Sequence, residues 1–365
     1  MIETTGERGM GCVLIFPAVT PEAAAYHRQL ERAGRRTVAA ASVAFDEVDY
    51  GQCEFLPSVN APEFEQMFLD LLARENITEI FAPVASVHTF LGTFLPQRTS
   101  GVMLVNVSPI AEQTNHYHEM LAVAQKLEPF EKLLAAGESK LSLHAIAGIL
   151  RQARVIYGES SEEKITAMMG ICASAIKGDV VEVGSLMGRT AAVLRLLSRR
   201  YGIGPVLTVD PWDSVAGVQV QHDSPEFIQA MTHTWEPGLI AQAFRINMLG
   251  MGNEDFFHLQ LPSVQGFEVY QQGSKLGDED FSGFTPSGRI AVLHIDGNHD
   301  LAAVSEDIEK WTSRLVPGSW LILDDYVWAH GSGPQQAGDA WLSTHLAELD
   351  VAFVCGKALF AKLAA

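Results

Sequence analysis

Three aspartates follow two apolar segments in the last quarter of the sequence. Asp296 comes directly after Ile290 to Ile295, and Asp324 and Asp325 come directly after Ser319 to Leu323. Apolar runs of this length are typical of buried strands. Because the carboxyl ends of parallel strands lie at one edge of an α/β sheet, where ligands bind, we predict that the three carboxylates lie close together.

Three neighbouring carboxylates repel one another and raise one another's pKa unless a cation balances them. A hard divalent ion prefers oxygen ligands, so Asp296, Asp324 and Asp325 are predicted to bind Mg²⁺ or another divalent cation. The ion would also bind a substrate hydroxyl and lower its pKa, which makes a nucleophile at neutral pH. The alternative is that these acids only cap turns at the strand ends.

A glycine-containing turn follows an earlier apolar run. Asp179 to Val183 leads into Gly184 and Ser185, and Gly188 precedes a helix predicted over Ala191 to Arg200. Glycine lets the backbone approach a bulky cofactor closely, because no Cβ stands in the way. Free amides at the helix start can bind a carboxylate. The turn therefore predicts a cofactor site.

Asp210 ends the next apolar run, Val206 to Val209. An acid at the tip of the second strand can accept hydrogen bonds from both hydroxyls of a ribose. Alternatively, it caps the turn before Pro211. A nicotinamide cofactor would use the same sheet edge, but its Gly-x-Gly-x-x-Gly fingerprint does not match the spacing from Gly184 to Gly188.

The pattern Glu-x-Gly-x-x-x-Gly, which starts at Glu182, resembles motif I of the class I methyltransferases. The resemblance implies S-adenosylmethionine as the cofactor. The residues expected to bind it are Glu182, Gly184, Ser185, Gly188, Thr190, Asp210 and Asp296.

A wider stretch, from Ser161 to Phe360, resembles the metal-dependent macrocin-type and cephalosporin-type O-methyltransferases. The segments that carry the likeness are 182–185, 295–299, 315–318 and 323–326. The resemblance implies magnesium bound by Asp296, Asp324 and Asp325, and His299 as the general base. It also implies a small-molecule hydroxyl as acceptor, with sugar-bearing natural products as the leading class. Members of this family often have glutamate at the position of Asp324.

Two other functions stay open. A metal-independent N-methyltransferase would keep the cofactor, and its acids would hydrogen-bond an amine. A non-catalytic cofactor-binding or assembly protein would bind the cofactor without turnover. His299, for its part, could be only a polar residue at a helix start.

The length of 365 residues allows two domains. We predict a smaller α/β, Rossmann-like accessory domain over residues 1–135. A class I methyltransferase domain with a doubly wound Rossmann-like sheet is predicted over 136–365, with leading helices to about residue 176. The strand-helix rhythm of the first domain, with strands at Ile80 to Val84 and Val102 to Val107, resembles the leading domain of ATP-grasp enzymes.

Composition restricts the partners. A net charge of −19 disfavours nucleic acid, which binds proteins with a surplus of Lys and Arg. No apolar run approaches the roughly 20 residues that span a bilayer, and the acidic start is unlike a secretory signal. We expect a cytoplasmic protein with no membrane partner. The sequence leaves open whether the protein forms a homo-oligomer.

Three irregular regions are predicted to contact the substrate. The first, 211–227, contains Trp212, His222 and Asp223, the second is the polar insertion 271–287, and the third, 327–336, contains Trp328 and His330. Long glycine-bearing loops over a sheet edge are common as lids, although exposed linkers have similar sequences.

Overall fold

The computed structural model describes residues 11–43, 50, 52–213, 219 and 235–365. The contacts divide the chain into two compact units, Met1–Glu119 and Met120–Ala365. This division falls inside a helix, and the boundary predicted after residue 135 lies at the end of that helix. His222 and Asp223 lie outside the described residues. In the described part of the chain, none of the helices combines the length and the apolar composition that a membrane-spanning segment needs.

The first unit contains a parallel sheet in the order β3-β2-β1-β4-β5 among its described residues. Its elements are β1 Cys12–Ile15, α1 Pro21–Arg32, β2 Thr37–Ala41, β3 Cys53–Phe55, α2 Phe64–Arg74, β4 Ile77–Phe81, α3 Ala85–Arg98, β5 Met103–Leu104, and the start of α4 Pro109–Leu134.

The predicted strand-helix rhythm of this unit is confirmed, but two strand positions were wrong. The strand predicted over Ile80 to Val84 is Ile77–Phe81, because Pro83 has no N–H with which to continue the ladder. The strand predicted over Val102 to Val107 is only Met103–Leu104, since Asn106 uses its side chain to bond the backbone of Ala82.

The second unit contains a seven-stranded sheet among its described residues, in the order β11-β12-β10-β9-β6-β7-β8. Its strands are β6 Asp179–Val183, β7 Val206–Val209, β8 Phe256–Leu259, β9 Ile290–Ile295, β10 Leu315–Leu323, β11 Leu349–Cys355 and β12 Ala358–Leu363. Strand β12 pairs antiparallel with β10 and with β11, whereas β6 to β10 pair in parallel.

Helices cover both faces of this sheet. They are α5 Leu143–Val155, α6 Glu162–Ala173, α7 Arg189–Tyr201, α8 Pro237–Leu249, α9 Ser263–Gln271, α10 Leu301–Thr312 and α11 Gly333–His345. Alternate strand residues enter separate cores: Val180 packs with α5 to α8, while Val181 packs with α9 to α11. The predicted doubly wound α/β fold is confirmed.

The chain runs outward in opposite directions from β6. Strands β7 and β8 lie on one side of it, and β9, β10, β12 and β11 lie on the other. The loops after β6 and β9 therefore diverge at a topological switch point. A crevice opens at such a point in doubly wound sheets.

Candidate active site

The turn after β6 requires glycine at two positions. Gly184 has a φ of +82°, and a Cβ there would lie 1.9 Å from the backbone oxygen of Asp296. Gly188 has a φ of +92°, and its Cβ would lie 2.9 Å from Met248 Cε and 3.0 Å from the Phe244 ring. Both the left-handed backbone and the close packing exclude a side chain. The turn thus directly contacts the end of β9.

Asp210 shapes the same turn. Its Oδ2 accepts hydrogen bonds from the backbone N–H groups of Ser185 (2.8 Å) and Leu186 (3.0 Å), and its Oδ1 accepts one from Trp212 (2.9 Å). Burial raises the pKa of Asp210, and these backbone hydrogen bonds oppose the rise. Because each carboxylate oxygen has two lone pairs, Oδ1 retains capacity for a ribose hydroxyl.

One cavity of about 1000 Å³ joins the two predicted constellations. All of its lining residues belong to the second unit. Of the predicted cofactor residues, the lining includes Gly184, Ser185, Thr190, Asp210 and Asp296. The volume suits a ligand of the size of a nucleoside-linked amino acid.

Two predicted cofactor residues, Glu182 and Gly188, are not among the described residues that line the cavity. The side chain of Glu182 is fully buried, and Oε1 lies 3.0 Å from Nδ1 of His294, which is also fully buried. Burial lowers the pKa of His294, which favours a neutral imidazole. The observed role of Glu182 is to pair with β9 in the interior.

The three predicted metal ligands do come together. Oxygens of Asp296 and Asp325 and a ring nitrogen of His299 all lie within 4.8 Å of one another. Asp324 groups with Asp296 and His294 at the same spacing. Burial, and then the neighbouring Asp324 carboxylate, raise the pKa of Asp296 well above its usual range. The convergence of acids at one sheet edge is therefore as the sequence indicated.

Two lysines that the sequence did not identify balance part of this charge. Lys164 in α6 is fully buried, and its ammonium forms an ion pair with Asp324 Oδ2. Lys357, in the turn between β11 and β12, lies 3.0 Å from Asp325 Oδ1. Burial alone would raise the pKa of Asp324, but Lys164 lowers it below its ordinary value. The carboxylates therefore have counter-charge from two lysines, which the prediction of a metal ion from sequence did not include.

The carboxylates nevertheless fit a divalent cation. Asp324 Oδ1 is buried and has no hydrogen-bond partner among the described residues. Asp296, Asp324 and Asp325 all line the cavity, so these oxygens can coordinate an ion there. An oxygen-only set of this kind suits Mg²⁺.

His299 lies beside the acids, at the start of α10. Its Nε2 is 3.3 Å from Asp325 Oδ2, and its Nδ1 is buried without a hydrogen-bond partner among the described residues. Burial lowers the pKa of His299, although the carboxylates of Asp325 and Asp324 oppose this. A proton on Nε2, facing Asp325, would leave the lone pair of Nδ1 free to accept another proton.

Two aromatic residues extend the site from His299. The Trp328 ring packs edge-on against His299, with centroids 4.5 Å apart, and His330 lies 5.5 Å from Trp328. Both residues line the cavity, together with Trp212. These are three of the residues predicted to contact the substrate. Trp328 and His330 lie beside His299, whereas Trp212 packs against Phe244 and donates to the backbone oxygen of Leu186.

Asp307 in α10 also lines the cavity and was not identified from sequence. It is 6% exposed, and burial raises its pKa to about 6, with the Ser263 hydroxyl opposing the rise. The sequence around Asp307 gives only an amphipathic helix, in which an acid is expected to face solvent.

Comparison with known proteins agrees with this site. Residues 181–326 match the family model described as a methyltransferase domain, and this segment contains the glycine turn, Asp210 and the acid cluster. The matched segment is a methyltransferase domain, and the second unit that contains it has a class I, Rossmann-like fold. No curated protein matches the chain.

Several solved structures are similar at low identity. The O-methyltransferase NovP is 12% identical, with 67% of this chain and 100% of that chain covered, at a TM-score of 0.38. The calicheamicin methyltransferase CalS11 is 14% identical. The match covers 71% of this chain and 94% of that chain, with a TM-score of 0.38. MycE, solved with Mg, SAH and mycinamycin VI, is 12% identical. The match covers 52% of this chain and 45% of that chain, with a TM-score of 0.30. These TM-scores are too low to bear on the acceptor or the metal.

Proposed function

We propose that this methyltransferase transfers the methyl group of S-adenosylmethionine to a hydroxyl of a small molecule, with help from a divalent metal ion. One observation supports the proposal above all. The backbone of Asp296 packs against Gly184 of the turn, while its carboxylate joins Asp325 and His299 within 4.8 Å. The cofactor turn and the acid-base cluster thus share one residue and one cavity.

The turn and Asp210 would hold the cofactor across the carboxyl end of β6. The amides at the start of α7, where Gly188 has no side chain to cap the helix, would bind the carboxylate of its methionine part. Asp296 then has two expected roles, because its backbone contacts the turn and its carboxylate faces the acceptor side. Holding the acceptor oxygen in line with the methyl group supplies much of the rate in such displacements.

Asp296, Asp324 and Asp325 would hold the metal ion through their oxygens. A bound divalent ion would lower the pKa of an acceptor hydroxyl. His299 is the base that we propose for the hydroxyl proton, accepted at Nδ1, while Asp325 holds Nε2–H and stabilises the imidazolium. The methyl group leaves the sulfonium sulfur for the acceptor oxygen, and S-adenosylhomocysteine is the second product.

The acceptor that we propose is a hydroxylated small molecule, with sugars and sugar-bearing natural products as the leading class. Trp328 and His330 offer an aromatic wall beside His299, and aromatic rings pack well on the apolar faces of sugar rings. The net charge of −19 disfavours a nucleic-acid acceptor.

The test is methyl transfer measured by mass spectrometry, on matched panels of glycosides and of amines. The enzyme is stripped with EDTA, and Mg²⁺ is then restored. We expect methyl ethers that form only with Mg²⁺, and loss of at least ~100-fold in turnover for Asp325→Asn. Asp350→Asn, an exposed aspartate on β11, is the matched control and should leave turnover unchanged.

Other outcomes favour the alternatives. Methylated amines that form equally well in EDTA would support a metal-independent N-methyltransferase. Binding of S-adenosylmethionine without transfer to any acceptor would support a non-catalytic cofactor-binding protein.

A further inference from the structure

Lys164 is an unusual residue for the interior of this domain. It lies in the first turn of α6, its side chain is 0% exposed, and its ammonium contacts three oxygens. It forms an ion pair with Asp324 Oδ2, donates to Ser160 Oγ at 3.1 Å, and lies 3.9 Å from Asp296 Oδ2. A buried ammonium is costly unless it is paired in this way.

The position of Lys164 divides the acid cluster into two sides. Lys164 reaches Asp324 and Asp296 from α6, whereas His299 and Lys357 contact Asp325. Lys164 holds Asp324 through Oδ2, while Asp324 Oδ1 is buried and accepts no hydrogen bond from a donor group among the described residues. The ion pair with Lys164 fixes the carboxylate of Asp324 and leaves Oδ1 to bind a further cation.

Lys164 has two opposite effects on the binding of such a cation: it orients a ligand, and its positive charge repels the ion. Lys164 orients Asp324, but its own positive charge lies within a few ångströms of the oxygens that would bind the ion. Two like charges at this separation repel strongly in a poorly solvated site, even with an effective dielectric constant of about 20. The repulsion acts on the ion directly, whereas the fixed rotamer of one carboxylate saves only side-chain entropy.

We propose that Lys164 is an internal counter-ion that positions Asp324 and weakens the binding of the divalent ion. It keeps the acid cluster folded when no metal is bound, and it makes the metal exchangeable. This inference rests on the proposed function, because it assumes that the acid cluster is the metal site.

The test is the affinity for Mn²⁺, a spectroscopic substitute for Mg²⁺, measured by electron paramagnetic resonance on the full chain with S-adenosylhomocysteine present. We expect Lys164→Met to bind Mn²⁺ at least ~10-fold more tightly than the wild type. Lys164→Gln, which retains a hydrogen-bond donor without the charge, should show the same gain. Lys132→Met removes an exposed lysine of α4 and should have no effect.

Thermal unfolding provides a second readout, which is useful if Lys164→Met folds poorly without metal. In EDTA both Lys164 variants should unfold at a lower temperature than the wild type, and Mn²⁺ should raise their unfolding temperature more than it raises that of the wild type. A purely structural lysine would lower the unfolding temperature equally with and without Mn²⁺.

The experiment distinguishes failure of the role proposed for Lys164 from failure of the proposed metal site. If the wild type binds Mn²⁺ and both Lys164 variants bind it equally or less tightly, the role of Lys164 is overturned and the metal site stands. If neither the wild type nor either variant binds Mn²⁺, the metal part of the proposed function is overturned together with this inference.

Discussion

Gly184 and Asp296 are in contact through their backbones: a Cβ on Gly184 would lie 1.9 Å from the carbonyl oxygen of Asp296. The two residues directly follow strands β6 and β9, which pair in parallel, with Val183 opposite Ile295. The contact brings the cofactor turn and the acid cluster to one place. It also makes Gly184 sensitive to any added side chain.

Gly184→Ala is expected to reduce both stability and cofactor binding. The φ of +82° strains any residue with a Cβ, by about 1–2 kcal/mol, and the contact with Asp296 forces the two loops apart. We expect S-adenosylhomocysteine to bind at least ~10-fold more weakly in calorimetric titration, and the urea midpoint to fall. Gly148→Ala is the control, because a Cβ at that position in α5 meets no atom within 4 Å. It should be neutral or stabilising by about 0.5–1 kcal/mol. Cofactor affinity in Gly184→Ala equal to that of the wild type would contradict the role of the turn.

Asp210→Asn is expected to weaken the cofactor turn. The carboxylate accepts three backbone N–H groups through two oxygens, whereas an amide presents one oxygen and an NH₂ group that faces a donor. The unsatisfied donor should cost about 1–3 kcal/mol of stability and weaken S-adenosylhomocysteine binding by ~10-fold or more. Calorimetry and thermal unfolding measure the two effects. Asp350→Asn should change neither, and a normal affinity in Asp210→Asn would show that the turn holds its shape without these bonds.

His299→Ala is expected to impair turnover without weakening cofactor binding. Loss of a general base typically lowers kcat by about 10²–10⁴-fold. S-adenosylhomocysteine affinity should stay within about threefold of the wild type, because the contacts described for His299 are with Asp325 and Trp328, not with the glycine turn. Steady-state kinetics and calorimetry separate the two. His144→Ala, on the exposed face of α5, is the control. A wild-type kcat in His299→Ala would eliminate the proposed base.

Asp307 should make stability depend on pH. Burial raises its pKa to about 6, from 3.8, so the native state binds more protons than the unfolded state between about pH 4 and pH 6. The stability contributed by the protonated acid is therefore present below about pH 4 and is lost as the pH rises through 6. The loss is about 3 kcal/mol.

Asp307→Asn should be more stable than the wild type at pH 8, by up to this amount, and equal to it near pH 4. Urea unfolding at both pH values measures the difference, with Glu309→Gln, exposed on the same helix, as the control. A stability difference that is the same at both pH values would contradict this prediction.

Much of the fold and of the site could be predicted from sequence because the signals are local. Apolar runs followed directly by Gly184, Asp210, Asp296 or Asp324 mark strand ends, and the carboxyl ends of parallel strands meet at one edge. Element ends were less certain, as β4 shows, since hydrogen bonds and turns decide where a strand begins.

The cytoplasmic location, the homo-oligomer and the domain boundary after residue 135 stay predictions. So do the cofactor, metal and base roles of the individual residues. Glu182 illustrates why: its position in the motif indicates a cofactor residue, while its side chain is buried against His294.

The sequence by itself determined which strand ends carry glycine and acid, because each motif is contiguous with the strand that positions it. Only the tertiary structure decided how those acids are balanced. Lys164 and Asp324 are 160 residues apart in the chain and form an ion pair in the interior. Lys357 and Asp307 likewise acquire their charge environment from elements that are distant in sequence. Burial and ion pairing depend on which segments pack together, and no local pattern records that.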